Sequence, residues 1–397
     1  MKLGTSSGHQ PAAQAGAGSS HELLQRAFDL CVRKTRNNIK RLADEPKAAP
    51  WAVDGNYFAH PEGFHEIGNW TSSFFTGMAL IAWRETEDEY FLQQTLRLAP
   101  IYHVKAFTKD FHSHHDMGFL YSLYSVALYK LTGDRQHRET ALAAAEALYQ
   151  RFNPHGGFIR AWGELGTTDQ DNMAIIDCMM NLPLLYWAGK ESGDPKYREA
   201  AIAQADNTLK LFVRPDDTVY HAYRFDLKTG QPGGGDNYCG RSVESHWARG
   251  AGWAIYGFAL SYHYTGDPKY LAASGRLAHK FNQLLNGDTM PVWDFMLPAG
   301  EKPLRDSSAA AVVVCAYQEL ENLGVADALI IKTIESLLNN LCADEYLNFD
   351  ENCPGILKYG QVGSDGPGSA QNAYMIWGDY FLMEALDREL HRGETWW

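Results

Sequence analysis

The sequence predicts an all-α fold, an (α/α)6 barrel of six helical hairpins, from three observations. A short phrase recurs at helix junctions, Thr132-Gly133-Asp134, Ser192-Gly193-Asp194 and Thr265-Gly266-Asp267, with a looser copy at Thr86-Glu87-Asp88. Glycine accepts the left-handed backbone that ends one helix and aspartate caps the next, so each phrase reads as the turn of a hairpin. Apolar residues between the phrases recur at helical spacing. The segments also alternate in character: 116–131, 171–191 and 245–264 are apolar or aromatic on nearly every face, whereas 135–152 and 195–213 carry charged stripes. Helices apolar all round are buried and striped ones face solvent, which gives an inner and an outer ring.

Taken in order, the helices are expected at 21–43, 70–85, 89–107, 116–131, 135–152, 171–191, 195–213, 245–264, 268–286, 307–323, 326–342 and 373–391. Asp134, Asp194 and Asp267 open the outer members of their hairpins, and Asp116 stands where it could cap an inner one. Spacings between repeats vary because longer loops are inserted between units. Before the first helix, Met1–Ser20 is rich in Gly, Ala, Ser and Gln and has no apolar h-region, so it is read as neither a secretory signal nor a membrane span. It is expected to be a disordered tail, either added or left from a removed leader, and in the second case the protein is exported. Residues 21–397 are then expected to form a single (α/α)6-barrel domain.

At 397 residues, with 45% hydrophobic and 13% aromatic content, the chain can bury one large core. A formal charge of −13 and the absence of any basic tract exclude nucleic acid and anionic membranes as partners, since both demand clustered Lys and Arg. The cysteines at 31, 178, 239, 315, 342 and 353 form no CxxC pair. Isolated thiols fit a reducing compartment, so a cytoplasmic protein, monomeric or weakly dimeric, is expected.

Two aspartates carry the chemistry. Asp177 lies in Ile175-Ile176-Asp177-Cys178-Met179-Met180, with apolar neighbours and no cation within four residues, and Asp116 in His114-His115-Asp116-Met117-Gly118-Phe119. A carboxylate in an apolar setting needs a partner or its pKa rises, and a raised pKa suits general acid catalysis near neutrality. Plainer readings stand beside these: Asp116 as a helix cap, and Asp177 as a buried acid bonded to an amide or a tyrosine. His112, His114 and His115 could suggest a metal, but no second cluster completes a ligand set, so neither metal nor cofactor is expected.

These motifs, with Ala161-Trp162-Gly163, Ile176–Leu185, Trp247-Ala248-Arg249-Gly250, Arg305-Asp306-Ser307-Ser308 and Ile376-Trp377-Gly378-Asp379-Tyr380, resemble the unsaturated glucuronyl hydrolases of glycoside hydrolase family 88, in the family's order over about residues 22–392. The resemblance implies a barrel that removes a 4,5-unsaturated uronic acid from the non-reducing end of the oligosaccharides left by polysaccharide lyases. It implies Asp177 as general acid and base, with Asp116 orienting the sugar and keeping Asp177 protonated through like-charge repulsion. His115, Trp70, Trp162, His221, Arg249, Trp253 and Cys239 are then the sugar-binding residues. The tryptophans are expected to ring the barrel mouth, and Arg249 to grip a carboxylate with its guanidinium fork. Core packing and a structural ion pair are the plainer alternatives for these.

One departure stands out. Family members carry Thr-His-Gln-Gly where this chain reads Asn237-Tyr238-Cys239-Gly240, and the glutamine after Arg-Gly is Ala251. The Ser-x-x-Ser-x-Lys pattern linked to sulfated substrates is replaced by Gly363-Ser364-Asp365-Gly366-Pro367-Gly368, which points toward unsulfated fragments. Other readings are an unsaturated rhamnogalacturonyl hydrolase with the same chemistry, a sugar epimerase working through histidine pairs, and a carbohydrate-binding protein without turnover.

Overall fold

The inner helices form a closed ring. The computed structural model describes residues 13–59, 70–108, 114–163, 165, 172–363 and 371–397. Its helices are α1 (Ala13–Asp44), α2 (Ser72–Thr86), α3 (Glu89–Leu96), α4 (Ala99–Thr108), α5 (Met117–Tyr121), α6 (Ala127–Thr132), α7 (Arg135–Tyr149), α8 (Leu182–Ser192), α9 (Pro195–Asn207), α10 (Ala248–Thr265), α11 (Pro268–Leu285), α12 (Ser307–Asn322), α13 (Ala328–Leu341) and α14 (Ile376–His391). A wide π turn, Ser122–Val126, joins α5 to α6 in one inner rod, and a 3-10 turn, Ile176–Met180, leads into α8. The inner rods α2, α5–α6, α8, α10, α12 and α14 pack each on the next, and α14 returns to α2. Around them lie α1, α3–α4, α7, α9, α11 and α13, so the expected (α/α)6 barrel is the observed one.

The sequence character of each ring follows its place. On α12 every residue from Ser307 to Leu320 is buried, whereas outer α13 buries the stripe Ile330, Thr333, Ile334, Leu337, Leu338 and Leu341. The recurring phrase acts as predicted. Gly133, Gly193 and Gly266 take φ of 71°, 74° and 71°, and Asp134, Asp194 and Asp267 accept from the amides of Gln136, Lys196 and Lys269. Each phrase turns an inner helix into its outer partner at one end of the barrel. Those turns are tight, so the long connections gather at the opposite end, where the inner helices begin.

Four expectations need correction. The first helix starts at Ala13 rather than at residue 21, since extending a helix already nucleated costs little, and residues 1–12 lie outside the described residues. The helix expected at 89–107 is two, since Pro100 lacks an amide proton and falls in the first turn of α4. The helix expected at 171–191 opens instead with β4 (Met173–Ile175), where the β-branched Ile175 favours extended backbone. Short strands also occur: β1 (Trp51–Ala52) pairs with β7 (Tyr374–Met375), β2 (Phe152–Asn153) with β3 (Phe158–Ile159), and β4 joins β5 (Ala222–Phe225) and β6 (Pro232–Asp236) in an antiparallel sheet.

Candidate active site

Asp116 and Asp177 stand at the starts of neighbouring inner rods, at the end where the long connections lie. Asp116 precedes Met117 at the N-cap of α5 but makes no capping hydrogen bond, so the plain helix-cap reading fails. The amide it would serve, that of Phe119, donates instead to Asn181 Oδ1 at 2.7 Å, and Asn181 Nδ2 donates to the Asp177 carbonyl at 3.1 Å. The two segments are this close because residue 118 is glycine: a Cβ there would sit 2.2 Å from the Asn181 Cα.

The β-sheet brings in the next residue. Pairing of Ile175 with Ala222 continues into a bond from the Ile176 amide to the His221 carbonyl, 2.8 Å, so His221 is carried beside Asp177. His221 Nδ1 accepts from the amides of Tyr238 and Cys239, each at 3.3 Å. The ring proton therefore stands on Nε2, which faces Asp177 Oδ2 at 3.8 Å. That oxygen is itself buried and has no hydrogen-bond partner among the described residues, although the Asp177 side chain as a whole is 17% exposed. On the other side, His115 Nε2 lies 3.4 Å from Asp116 Oδ1.

Burial dominates the electrostatics. It pushes the Asp177 carboxyl up to about 6, with the Arg249 charge pulling the other way. Asp116 is raised well above the ordinary carboxylate range, first by burial and then by Asp177, against smaller opposing effects of Asn181 and Arg151. The repulsion expected to protonate Asp177 thus falls on Asp116, which is the more deeply enclosed of the two. His221 is lowered to about 3 and His115 well below its usual value, both mainly by burial, so both rings are neutral. Neutral His221 cannot supply the local positive charge that the net charge of the chain otherwise leaves wanting.

Arg249, on the first turn of α10, supplies it. Its fork is not free for a carboxylate: Nη1 meets Gln361 O, Ser308 Oγ at 3.3 Å and Asp306 Oδ2 at 3.4 Å, and Nη2 donates to Val362 O at 3.0 Å. The plainer ion-pair reading describes this side chain, while its buried Nε has no partner among the described residues. The guanidinium lies between the rings of Trp247 and Trp377, 4.5 and 5.0 Å from their centroids. From there aromatic contacts run in both directions around the mouth. Trp377 stacks on Trp70 at 5.0 Å; Trp247 touches His221 at 4.7 Å, and His221 touches Tyr238 at 4.1 Å. Tyr238 Oη accepts from Trp162 Nε1 at 3.4 Å, and Trp162 packs on His115 at 5.4 Å.

Of the residues read from sequence, Asp116, Asp177, His115, His221, Trp162, Trp70, Arg249 and Cys239 thus meet around one mouth. Trp253 does not. It is fully buried between Phe119 and Phe381, one turn below Arg249, and belongs to the core beneath the site. Cys239 offers its amide to His221, while burial raises its thiol to about 12. Asn181, Tyr238, Trp247 and Arg151 escaped notice as site residues, although Gly118 and the position of Asn181 four residues after Asp177 hinted at the first. Arg151 is buried and donates to the Arg160 and Trp162 carbonyls, fixing the segment that presents Trp162. His112 and Ser364–Gly368 lie outside the described residues.

Comparison with known proteins bears on the family and the fold. The model of Glycosyl Hydrolase Family 88 matches residues 43–359. The unsaturated glucuronyl hydrolase of Bacillus sp. (strain GL1) is 34% identical, over 94% of this chain and 98% of that one. The unsaturated chondroitin disaccharide hydrolase of Streptococcus pyogenes serotype M1 is 32% identical, over 95% of this chain and 94% of its own. The crystal structure of the Bacillus sp. GL1 unsaturated glucuronyl hydrolase superposes with a TM-score of 0.85 at 32% identity, covering 94% of this chain and 99% of that one. With a family match over most of its length, relatives aligned from end to end and the same barrel, this chain belongs to glycoside hydrolase family 88.

Proposed function

We propose that this protein releases 4,5-unsaturated glucuronic acid from the non-reducing end of oligosaccharides by hydrating the C4=C5 double bond. That bond, next to the ring oxygen, is a vinyl ether. Protonating C4 spreads positive charge over C5 and the ring oxygen, and water then adds at C5. The hemiketal so formed opens and expels the aglycone. No acid is required at the glycosidic oxygen in the first step, so the separation rule for paired glycosidase carboxylates does not govern this site.

The observation that carries the reading is Asp177 Oδ2, enclosed, without a partner among the described residues, on a carboxyl held near 6. Such a group is protonated in a useful fraction near neutrality, gives its proton to C4, and as carboxylate takes one from the attacking water. His221 Nε2–H steadies the carboxylate between these transfers. Asp116, kept neutral by burial and by Asp177, donates to a sugar oxygen rather than repelling the uronate. The uronate charge is met by the field of Arg249, which reaches Asp177, and by the starts of α8 and α10, whose helix dipoles present their positive ends at this mouth. Neutral His115 and His221 leave an epimerase without the charged histidine acid it would need.

The test is loss of the ultraviolet absorbance of the conjugated C=C–carboxylate over a panel of unsaturated disaccharides, sulfated, unsulfated and rhamnose-linked. Turnover of an unsulfated glucuronyl disaccharide is expected. Binding without any loss of absorbance across the panel would overturn the proposal, and turnover confined to the rhamnose-linked member would move the activity to pectin fragments.

A further inference from the structure

We infer that Asn181 is a positioning residue that caps the Asp116 helix from the neighbouring segment, and so frees the Asp116 side chain for the substrate. This rests on the reading of Asp116 and Asp177 as the reacting pair. Aspartate at an N-cap ordinarily turns its carboxylate back onto the amide three residues on. Asp116 has that position and that residue type, yet its carboxylate is turned toward His115 while the Phe119 amide is served by Asn181 Oδ1.

Three observations make the exchange a built feature. Asn181 is fully buried. Both ends of its carboxamide are used, Oδ1 on the Phe119 amide and Nδ2 on the Asp177 carbonyl, and the side chain also steadies the Asp116 carboxyl, so one residue ties together the segments carrying both carboxyls. Gly118 removes the one Cβ that would keep the Asn181 backbone away, at 2.2 Å. Without Asn181 the Phe119 amide would be buried and unserved, a cost of about 1–3 kcal/mol, and the nearest group able to relieve it is the Asp116 carboxylate itself. Self-capping would then withdraw Asp116 from the mouth.

Asn181→Ala and Asn181→Asp separate this from a merely structural role. Asn181→Ala is expected to lower kcat roughly a hundredfold with KM changed less than about threefold, and its crystal structure should show Asp116 accepting from the Phe119 or Gly118 amide. Asn181→Asp keeps the acceptor for Phe119 and adds a carboxylate, so kcat below the basic limb should stay within about tenfold of the parent while that limb moves to higher pH. An Ala variant within threefold of the parent, or a slow one with Asp116 unmoved in its crystal structure, overturns the inference. If the Ala variant does not fold, Asn181→Asp decides alone: a hundredfold loss with the limb unmoved overturns it. Asp177→Asn keeps the two readings apart, because an active Asp177→Asn would sink the proposed function, whereas an inactive one beside an unaffected Asn181→Ala sinks only the role of Asn181.

Discussion

Of the aspartates enclosed at the starts of inner rods, Asp379 and Asp177 differ most plainly in what surrounds them. Asp379, in the first turn of α14, has its carboxyl raised to about 7 by burial, higher than Asp177 at about 6. Ranked by acidity alone, Asp379 would be the better candidate acid. Yet Asp379 accepts from Tyr57 Oη at 2.8 Å, the Ile356 amide at 3.1 Å and the Leu357 amide at 2.7 Å. Asp177 Oδ2 accepts from nothing among the described residues. A buried carboxyl whose oxygens are filled by donors fastens a loop to a helix; one left with an unpartnered oxygen beside the mouth can exchange a proton with something that arrives.

Exchanging each carboxyl for its amide is the sharpest way to break this contrast. Asp177→Asn should lower kcat on the order of a thousandfold or more, because both proton transfers use the one group. Asp379→Asn should instead cost about 1–3 kcal/mol of stability, since an NH2 would face backbone donors, with kcat of the folded protein within a few-fold of the parent. Steady-state kinetics alongside denaturant melts of both variants check this. Equal kinetic losses in the two would show that an unpartnered oxygen does not distinguish the acid.

Asp116→Asn sharpens the comparison within the pair. A loss of roughly a hundredfold is expected from misplacing the sugar. The pH profile carries the finer information. Asp116 is raised by the charge on Asp177, so Asp177 ionises first and Asp116 is still neutral when it does. The basic limb of kcat/KM, expected near 6 in the parent, should therefore stay in place in the variant. A limb moved downward would mean that Asp116 ionises first, and would restore the order expected from the sequence.

Stability gives an independent reading of the same carboxyl. A folded-state pKa raised above the unfolded value means that folding binds a proton between the two, so this group removes stability as pH rises from about 4 to about 6, and the loss persists above. Asn carries no such penalty. Relative to the parent, Asp177→Asn should gain up to about 3 kcal/mol at pH 8 and nothing of that origin at pH 4. Denaturant unfolding of both proteins at the two pH values measures the difference directly, and the double comparison cancels the buried histidines, which titrate alike in each.

How much of this was legible in the sequence follows from the range of the forces involved. The hairpin turns were readable because glycine and aspartate act on their own backbone within three residues, as at Gly193 and Asp194. The ring order followed from apolar periodicity. The strand β4 was not readable, because Met173-Ala174-Ile175 fits a buried helix as well as a strand and its partner lies about fifty residues on. The occupied fork of Arg249 escaped for the same reason: its acceptors at Gln361 and Val362 are over a hundred residues away. Trp253 illustrates the reverse error, since an aromatic one turn below a site residue points into the barrel as readily as out of it.

The smallest expected effect concerns the tyrosine beside each aspartate. Tyr57 gives its hydroxyl to Asp379, whereas Tyr238, which feels the charge of Asp177, has its hydroxyl on Trp162 Nε1 at 3.4 Å. Tyr238 is 46% exposed and its ring stays against His221, so Tyr238→Phe deletes one long, half-wetted hydrogen bond and leaves the stack. Such a bond is worth about 0.5 kcal/mol, which corresponds to a two- to threefold rise in KM for an unsaturated disaccharide with kcat unchanged. Tyr238→Ala, which also removes the ring between His221 and Trp162, should raise KM further. If Tyr238→Phe instead lowers kcat more than tenfold at unchanged KM, the hydroxyl serves the reacting atoms. Asp177 would then be a partnered carboxyl after all, and the contrast with Asp379 would rest on which donor can leave rather than on whether one is present.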